Sequence, residues 1–468
     1  MFCIDYFTLE LLAKWDPYPF CRTKCGPENF IRLFVPPLGG GMEINMQPTE
    51  KQLKMGRFLY IWEATFEYLI SILVAGSFLA TLTKELGFSD GLCGILSAFV
   101  SLGCVFQLGA LMLRAKSVKR IAVILGILNE ALFIMLYVVP ITSMSKPVKS
   151  ALFITFMVMA YIIMNFIAPH KLSWLMSLVE DKKRGVFTAT KESVSLLTQM
   201  GFSYVMGMVM DDYLAAGNTK AAFTVAAAVM FALMLLHTLT VVFTVEKERP
   251  AQKKISLLDG IKAIVRNKKA MQVTVVCIFY YVSNYSSLPF YGRYMINELG
   301  FTLKFTAVLT IFAGLSRICV ARLWGRYADK SSFAAMIEKC FCVLVLSYLC
   351  VVFSTPANGA VMFICYNVMH GIAMGGINSA LTNLVFDYVP EESRATSLAV
   401  NRAIAGTIGF VTTLCFSPIV DLIQGSGNRI FGISVYAQQA VSVFSALVII
   451  VAIVYVRKVF VNKNEKAN

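Results

Sequence analysis

Charge is scarce in this chain. Asp, Glu, Lys and Arg together make up 15% of 468 residues, well under the roughly 25% of soluble domains. That shortfall excludes a disordered chain, which is polar and charge-rich. Histidine is close to absent, with three residues, which leaves little for metal transport. There is no H-E-x-x-H and no G-x-x-x-x-G-K-[ST], so metalloprotease and ATP-driven pump chemistry lack their residues. No enzyme activity and no cofactor are expected. Cys21 and Cys25 form a lone C-x3-C with no further ligand, and most of the twelve cysteines sit in apolar stretches, where they behave as small apolar side chains.

What fills the chain is hydrocarbon. Apolar residues reach 57%, with 35 Phe and 23 Met, and the mean hydropathy is +0.69. A soluble core of this length could not hide so much apolar surface, and exposed patches of it would aggregate. Apolar stretches of roughly 20 residues, enough to cross a bilayer, occur near 58–82, 90–112, 119–140, 150–170, 186–209, 219–244, 270–295, 304–324, 333–354, 358–385, 395–419 and 435–456. The expected fold is therefore an all-α membrane protein of twelve transmembrane helices.

The net charge of +15 then becomes a topological signal. Basic residues gather after the even stretches: Arg114, Lys116, Lys119 and Arg120; Lys171, Lys182, Lys183 and Arg184; eight between Lys247 and Lys269; Arg322, Arg326 and Lys330; and Arg457, Lys458, Lys463 and Lys466 in the tail. The odd loops offer fewer: Lys84, Lys146, Lys149, Lys220, Arg293, Lys304 and Arg429. Cytoplasmic loops carry the excess of Lys and Arg. Both termini are thus expected in the cytoplasm, in a multi-pass protein of the cytoplasmic (inner or plasma) membrane. The basic loops would meet anionic lipid headgroups, and nucleic acid is not expected as a partner.

The expected organisation is an N-terminal cytoplasmic extension over 1–56, a first six-helix half over 57–245, a cytoplasmic linker over 246–269, a second half over 270–457 and a basic tail over 458–468. Within the linker, Ile255, Leu257, Leu258, Ile261, Ile264 and Val265 fall near helical spacing and predict an interfacial amphipathic helix. Residues 1–41 are rich in Pro, Gly and aromatics without period. Gly39-Gly40-Gly41 precedes Met42 as a translated ribosome-binding site would, so Met42 or Met46 is the expected natural start.

The two halves repeat. Val179-Glu180-Asp181-Lys182-Lys183-Arg184-Gly185 leads into the fifth stretch, which ends at Asp211 with Gly217-Asn218 beyond. Val389-Pro390-Glu391-Glu392-Ser393-Arg394-Ala395 leads into the eleventh, which ends at Asp421 with Gly427-Asn428 beyond. The Arg-to-Asp and Arg-to-Gly-Asn spacings are the same in both copies. A second pair follows the second and eighth stretches: Gly109-Ala110-Leu111-Met112-Leu113-Arg114, and Gly325-Arg326-Tyr327-Ala328-Asp329-Lys330.

Gly-x-x-Ala-Asp-Lys after an even-numbered span resembles the cytoplasmic signature loop of the major facilitator superfamily, and Pro390-Glu391-Glu392-Ser393-Arg394-Ala395-Thr396 resembles that family's loop before span eleven. The resemblance covers roughly 57–460. It implies two pseudo-symmetric six-helix halves rocking about a midplane site. It also implies cytoplasmic latches in which Asp329, with Gly325 and Lys330, acts on the start of span five near Arg184, and Gly109 and Arg114 act on the start of span eleven near Arg394. Leu113 stands where the first-half loop would carry its Asp, which weakens one latch.

The resemblance places spans one, four, seven and ten around a central cavity, and these spans carry unusual polar groups. Glu63 and Glu67 lie four residues apart on one helical face; Glu67 is about 13 Å into the membrane at 1.5 Å per residue. An ionised carboxylate there must be protonated, paired or wet, which fits either a proton-coupling acid or a structural lock. Span seven contributes Tyr280, Tyr281, Asn284 and Tyr285, suited to stacking on and hydrogen-bonding an organic solute. Span four adds Asn165, and span ten Asn367, His370 and Asn378, with His370 either a proton relay or a structural histidine. Glu130 in span three is expected to pair with a basic residue. Two features of proton-coupled relatives are missing: a Pro between Ser195 and Asp211, and a buried Arg in span four.

The expected function is a secondary transporter of a small organic solute, coupled to protons through Glu67 and working as a monomer. Two alternatives stand beside it: an uncoupled facilitator of the same fold, and a transporter-like sensor that binds without translocating.

Overall fold

In the computed structural model, residues 48–110, 118–180, 184–246, 266–389, 391–430 and 432–462 are described. They are almost wholly helical: α1 (Glu50–Leu73), α2 (Gly76–Glu85), α3 (Asp90–Ala110), α4 (Val118–Ile141), α5 (Lys146–Met176), α6 (Arg184–Ala215), α7 (Thr219–Phe243), α8 (Lys268–Arg293), α9 (Leu303–Lys330), α10 (Phe333–Val352), α11 (Gly359–Tyr388), α12 (Glu391–Gly425) and α13 (Ala437–Val456). A two-residue hairpin, β1 (Arg429–Ile430) with β2 (Ile433–Ser434), joins α12 to α13. The expected linker helix at 255–265 lies outside the described residues.

The helix starts are capped by their own sequence. Thr49 and Gln52 form a capping box ahead of α1, and Asn218, Asn267, Thr302 and Ser332 accept from first-turn amides of α7, α8, α9 and α10. These side chains satisfy amides that an apolar setting would leave unpaired.

Ten helical segments among the described residues are long and apolar enough to cross a membrane, against the twelve expected. The second expected stretch supplies only a shorter apolar helix, Asp90–Gly103, over its described residues. The seventh, α8, carries Tyr280, Tyr281, Ser283, Asn284, Tyr285 and Ser286 and falls short of that hydropathy. The first stretch, expected as one helix, breaks between α1 and α2, where Gly76 takes φ 52°. The Tyr137 hydroxyl donates to the Leu73 carbonyl at the break (2.6 Å). A Cβ on Gly292 would lie 2.7 Å from the Gly76 carbonyl oxygen, so α8 passes backbone to backbone against this break.

The apolar cores segregate by sequence. One draws on residues 69–233 with Leu303 added, and a second on 60–241; three others draw on residues 270–460. Between the two groups, α3 packs along α12 and α6 along α9. Pro289 in α8 cannot donate to the Tyr285 carbonyl one turn back, and the Thr413 hydroxyl of α12 donates to it (2.7 Å).

The repeated aspartates have matching roles. Asp211, at the end of α6, accepts from the Leu303 and Lys304 amides that open α9 (2.9 and 2.7 Å). Asp421, near the end of α12, accepts from the Gly91 amide (2.8 Å) and the Ser89 hydroxyl (2.9 Å) that open α3. Each carboxylate sits on the positive end of a helix from the other core group. A Cβ on Gly207, one turn before Asp211, would meet the Lys304 nitrogen at 2.8 Å, so glycine there permits the approach. Removing both caps in Asp211→Ala/Asp421→Ala should cost about 1 kcal/mol apiece. The double variant should lose about 2 kcal/mol in all, read as a fall in its unfolding midpoint in detergent; an unchanged midpoint would show that the caps contribute nothing to the packed faces.

Candidate functional site

Five ionisable side chains meet inside α1, α4, α5 and α7. Lys171 of α5 places Nζ 2.7 Å from Glu63 Oε1 and 2.7 Å from Glu67 Oε2. Residues four apart stack on one helical face, so one ammonium spans both carboxylates of α1. Behind Glu63, His237 of α7 sets Nε2 3.4 Å from the same Oε1 and Nδ1 2.5 Å from Glu130 Oε1 of α4. His237 Nε2 is within hydrogen-bond reach of Glu63, whereas among the described residues neither Glu130 oxygen has a hydrogen-bond partner, so the Nδ1–Glu130 approach is an ion-pair distance only. The set thus runs Glu67–Lys171–Glu63–His237–Glu130 across four helices. Glu63, Glu130 and His237 are buried, whereas the Glu67 side chain is 34% exposed and forms the accessible end.

Two of these positions differ from expectation or were not foreseen. Lys171, assigned to the loop after the fourth stretch, is a buried residue within α5, because that helix continues to Met176. Span four, read as lacking a buried arginine, therefore carries a buried cation after all, as lysine. His237 drew no attention in the sequence; its one signal was a lone histidine within the apolar 219–244 stretch. Glu130 does find a basic partner, and that partner is His237.

A cavity of about 960 Å³ lies among α6, α8, α9, α11 and α12. Tyr280, Tyr281 and Asn378 line it, as do Glu192, Arg317, Arg322, Asn401 and Arg402. It is built from the first halves of α6 and α12 and the second halves of α9 and α11, and Glu192, Arg322, Asn378 and Arg402 are exposed within it. It opens on the membrane face opposite Asp211 and Asp421. The Tyr280 ring stacks on Phe341 (centroids 6.4 Å apart) with its hydroxyl against Met374 Sδ (3.2 Å), and Tyr281 stacks on Tyr285 (5.7 Å). Asn401 Oδ1 accepts from the Thr274 hydroxyl (2.6 Å), which fixes the cavity wall where α12 meets α8.

The remaining polar residues of spans four, seven and ten do not join this cavity. Asn367 and His370 line a smaller one of about 250 Å³ beside the α1–α2 break. Asn367 Nδ2 donates to the Phe363 carbonyl (2.7 Å), and His370 stacks on Tyr366 (5.3 Å) with Nε2 unpartnered. Asn284 Oδ1 is buried without a partner. Asn165 Nδ2 donates to the Tyr161 carbonyl (2.9 Å), and its amide occupies the space that a Cβ on Gly103 would need.

The latch residues are disengaged as far as they are described. Asp329 and Lys330 are exposed at the end of α9, and nothing lies within 4 Å of a Cβ placed on Gly325. Gly109 falls in the last turn of α3; Arg114 and the side chains of Arg184 and Arg394 lie outside the described residues. The opposite face is instead tightly joined. Arg293 of α8 donates to Asp90 Oδ1 of α3 (2.6 Å) and to the Phe88 carbonyl (2.8 Å), and Gln424 of α12 donates to Asp90 Oδ2 (2.6 Å). Gly87-Phe88-Ser89-Asp90-Gly91 has the spacing G-x-S-x-G, but Ser89 Oγ is engaged with Asp421 and the Leu92 amide as a helix cap, with no histidine beside it.

Lys171 is the hinge of the charged set. Lys171→Met should strand two carboxylates and cost roughly 3–5 kcal/mol, seen as a large fall in the unfolding midpoint in detergent. Adding Glu63→Gln should recover part of that loss; a double variant as unstable as the sum of the singles would show that the pair does not interact.

The sequence matches the model of the Major Facilitator Superfamily over residues 64–414. Among curated proteins no sequence matches. Solved structures share the fold at low identity. The nucleoside transporter NupG superposes with a TM-score of 0.63 at 13% identity, over 87% of this chain and 99% of that one. A bacterial homolog of the human lysosomal transporter Spinster, inward-facing and unoccupied, gives 0.59 at 12%, over 89% and 97%. A POT family transporter in complex with a thioalcohol-conjugated peptide gives 0.61 at 13%, over 89% and 96%. With its family match spanning most of its length and its apolar helices built for a membrane, the chain belongs to the Major Facilitator Superfamily.

Proposed function

We propose that the protein is a secondary transporter that carries a small organic solute by alternating access and couples it to protons at Glu67. Charge balance in the buried set carries this reading. Three carboxylates, Glu63, Glu67 and Glu130, face two cationic groups, Lys171 and His237. With both cations charged, one carboxylate is left over, and an uncompensated charge inside a membrane is costly. A proton is the counter-charge that completes the balance, and Glu67 is the carboxylate at the accessible end. With Glu67 ionised, Lys171 clamps α1 to α5 at two points; with Glu67 neutral, Glu63 alone holds it. Proton binding thereby biases how α1 packs on α5, α7 and α4, which is the two-state element that coupling requires.

The transporter would have twelve spans, with α3 and α8 completing the ten, arranged as two six-helix halves that meet at α3–α12 and α6–α9. Arg322, Arg326 and Lys330 mark the cytoplasmic face by the excess of basic residues there. The 960 Å³ cavity then opens to the cytoplasm, while the Asp211, Asp421 and Asp90–Arg293 contacts close the outer face. Disengaged Asp329 fits that state, since a cytoplasmic latch has nothing to hold while its own side is open. Neighbours of the same fold include a nucleoside transporter and a peptide-bound transporter, which fits a polar organic solute. One chain contains the whole cavity, so a monomer suffices.

Flux into proteoliposomes tests the coupling. For one proton per solute, an inward gradient of one pH unit should raise accumulation up to about ten-fold. Glu67→Gln should abolish that dependence while leaving solute counterflow. Accumulation indifferent to the gradient, or equally gradient-driven in Glu67→Gln, would refute proton coupling at this residue.

A further inference from the structure

The solute's chemistry can be read from the charges in the large cavity. Arg317 and Arg322 of α9 and Arg402 of α12 line it, against one carboxylate, Glu192 of α6. Among the described residues none of the three guanidinium groups makes a hydrogen bond or ion pair. Among the described residues the buried cationic side chains behave differently: Lys171, His237 and Arg293 each meet a carboxylate directly. Arg317 is the most telling, because it lies about 21 Å along α9 at 1.5 Å per residue, near the middle of a 28-residue helix, and is half-buried. A guanidinium at mid-membrane without an acid is expensive unless something anionic meets it.

We infer that the transported solute is an organic anion with an aromatic or heteroaromatic body, its carboxylate or phosphate held by Arg317 with Arg402 and Arg322 nearer the mouth. The claim rests on the reading of this cavity as the translocation site. The planar fork of a guanidinium pairs with two oxygens of a carboxylate or phosphate, and Arg317 offers its full set of donors. The aromatic walls suit a ring: Tyr280 and Tyr281 sit edge to face (5.6 Å), and both line the same cavity as Arg317. The volume of about 960 Å³ is within the 300–1,000 Å³ or so of small-molecule sites. Entry of an anion would also reduce the local surplus of positive charge. An anion that travels with a proton crosses with less net charge than it would alone, which joins the cavity chemistry to the carboxylate surplus at α1.

Direct binding to the purified full-length protein separates the possibilities. The probes are 4-hydroxybenzoate, indole-3-acetate, phenyl phosphate and the neutral 4-hydroxybenzamide, followed by calorimetry in detergent. Both aromatic carboxylates or phenyl phosphate should bind at least about ten-fold more tightly than the amide, the difference that a single charge-assisted pair supplies; which acid wins distinguishes a carboxylate from a phosphate solute. Arg317→Gln should bring the preferred anion to the level of the amide, Arg317→Lys should recover part of the loss, and Arg402→Gln, at the exposed mouth, should weaken binding less. An amide that binds as well as the anions, no binding by any anion, or an Arg317→Gln protein of unchanged melting temperature with unchanged anion affinity would each overturn the inference. The two readings fail separately. A neutral solute driven by the pH gradient would sustain the transporter and refute the anion; Arg317-dependent anion binding without flux would do the reverse.

Discussion

Lys171 cannot satisfy two carboxylates without tying two helices together, and much of the N-terminal bundle follows from that constraint. The ammonium sits 2.7 Å from both Glu63 and Glu67, so α1 and α5 are fastened at successive turns of one face. Glu63 passes the constraint on to His237 in α7, and His237 to Glu130 in α4. In water such a chain would be worth little; inside an apolar bundle each member is expensive to leave unpaired. These contacts hold the four helices in one arrangement, and under the proposed coupling a change of one proton would alter which of them persist.

The second set of constraints lies at the opposite end of the helices. Asp211 and Asp421, matched in the repeat, cap α9 and α3 respectively, and Arg293 joins α8 to the start of α3 through Asp90. These contacts use helix ends and short side chains, so they can be made and lost as the packed faces separate. The exposed cavity walls and the idle Asp329 at the other face complete the contrast. One end is closed by charge–dipole contacts, and the other is held open around three arginines.

The fold was largely legible in the sequence because its signals are long: apolar stretches, basic loops of alternating strength, and a repeat whose Arg-to-Asp spacing recurs. The finer errors have physical causes. Span one reads as continuous because hydropathy does not register the positive φ of Gly76. The site was legible only in part. Glu63 and Glu67 stand out because two acids at helical spacing in an apolar run have no bland explanation. Lys171 did not stand out, because a lysine near the end of a stretch usually snorkels to the interface, and only the length of α5 shows that it stays inside. Arg317 does not stand out for the opposite reason: single charges within these stretches look alike in sequence, and what separates Arg317 from a paired residue is that no acid among the described residues pairs with it in three dimensions. Asn165 and Asn367 share their spans with other polar groups, yet helix phase directs each amide to its own helix's carbonyl one turn back.

Infrared difference spectroscopy between acid and alkaline pH addresses the central claim most directly, since it counts protonated carboxyls without requiring the solute. The account predicts a titrating carboxyl C=O stretch in the wild type that is lost in Glu67→Gln and kept in a conservative change outside the set, such as Glu192→Gln. A spectrum unchanged by Glu67→Gln would place the exchanged proton elsewhere and contradict the account.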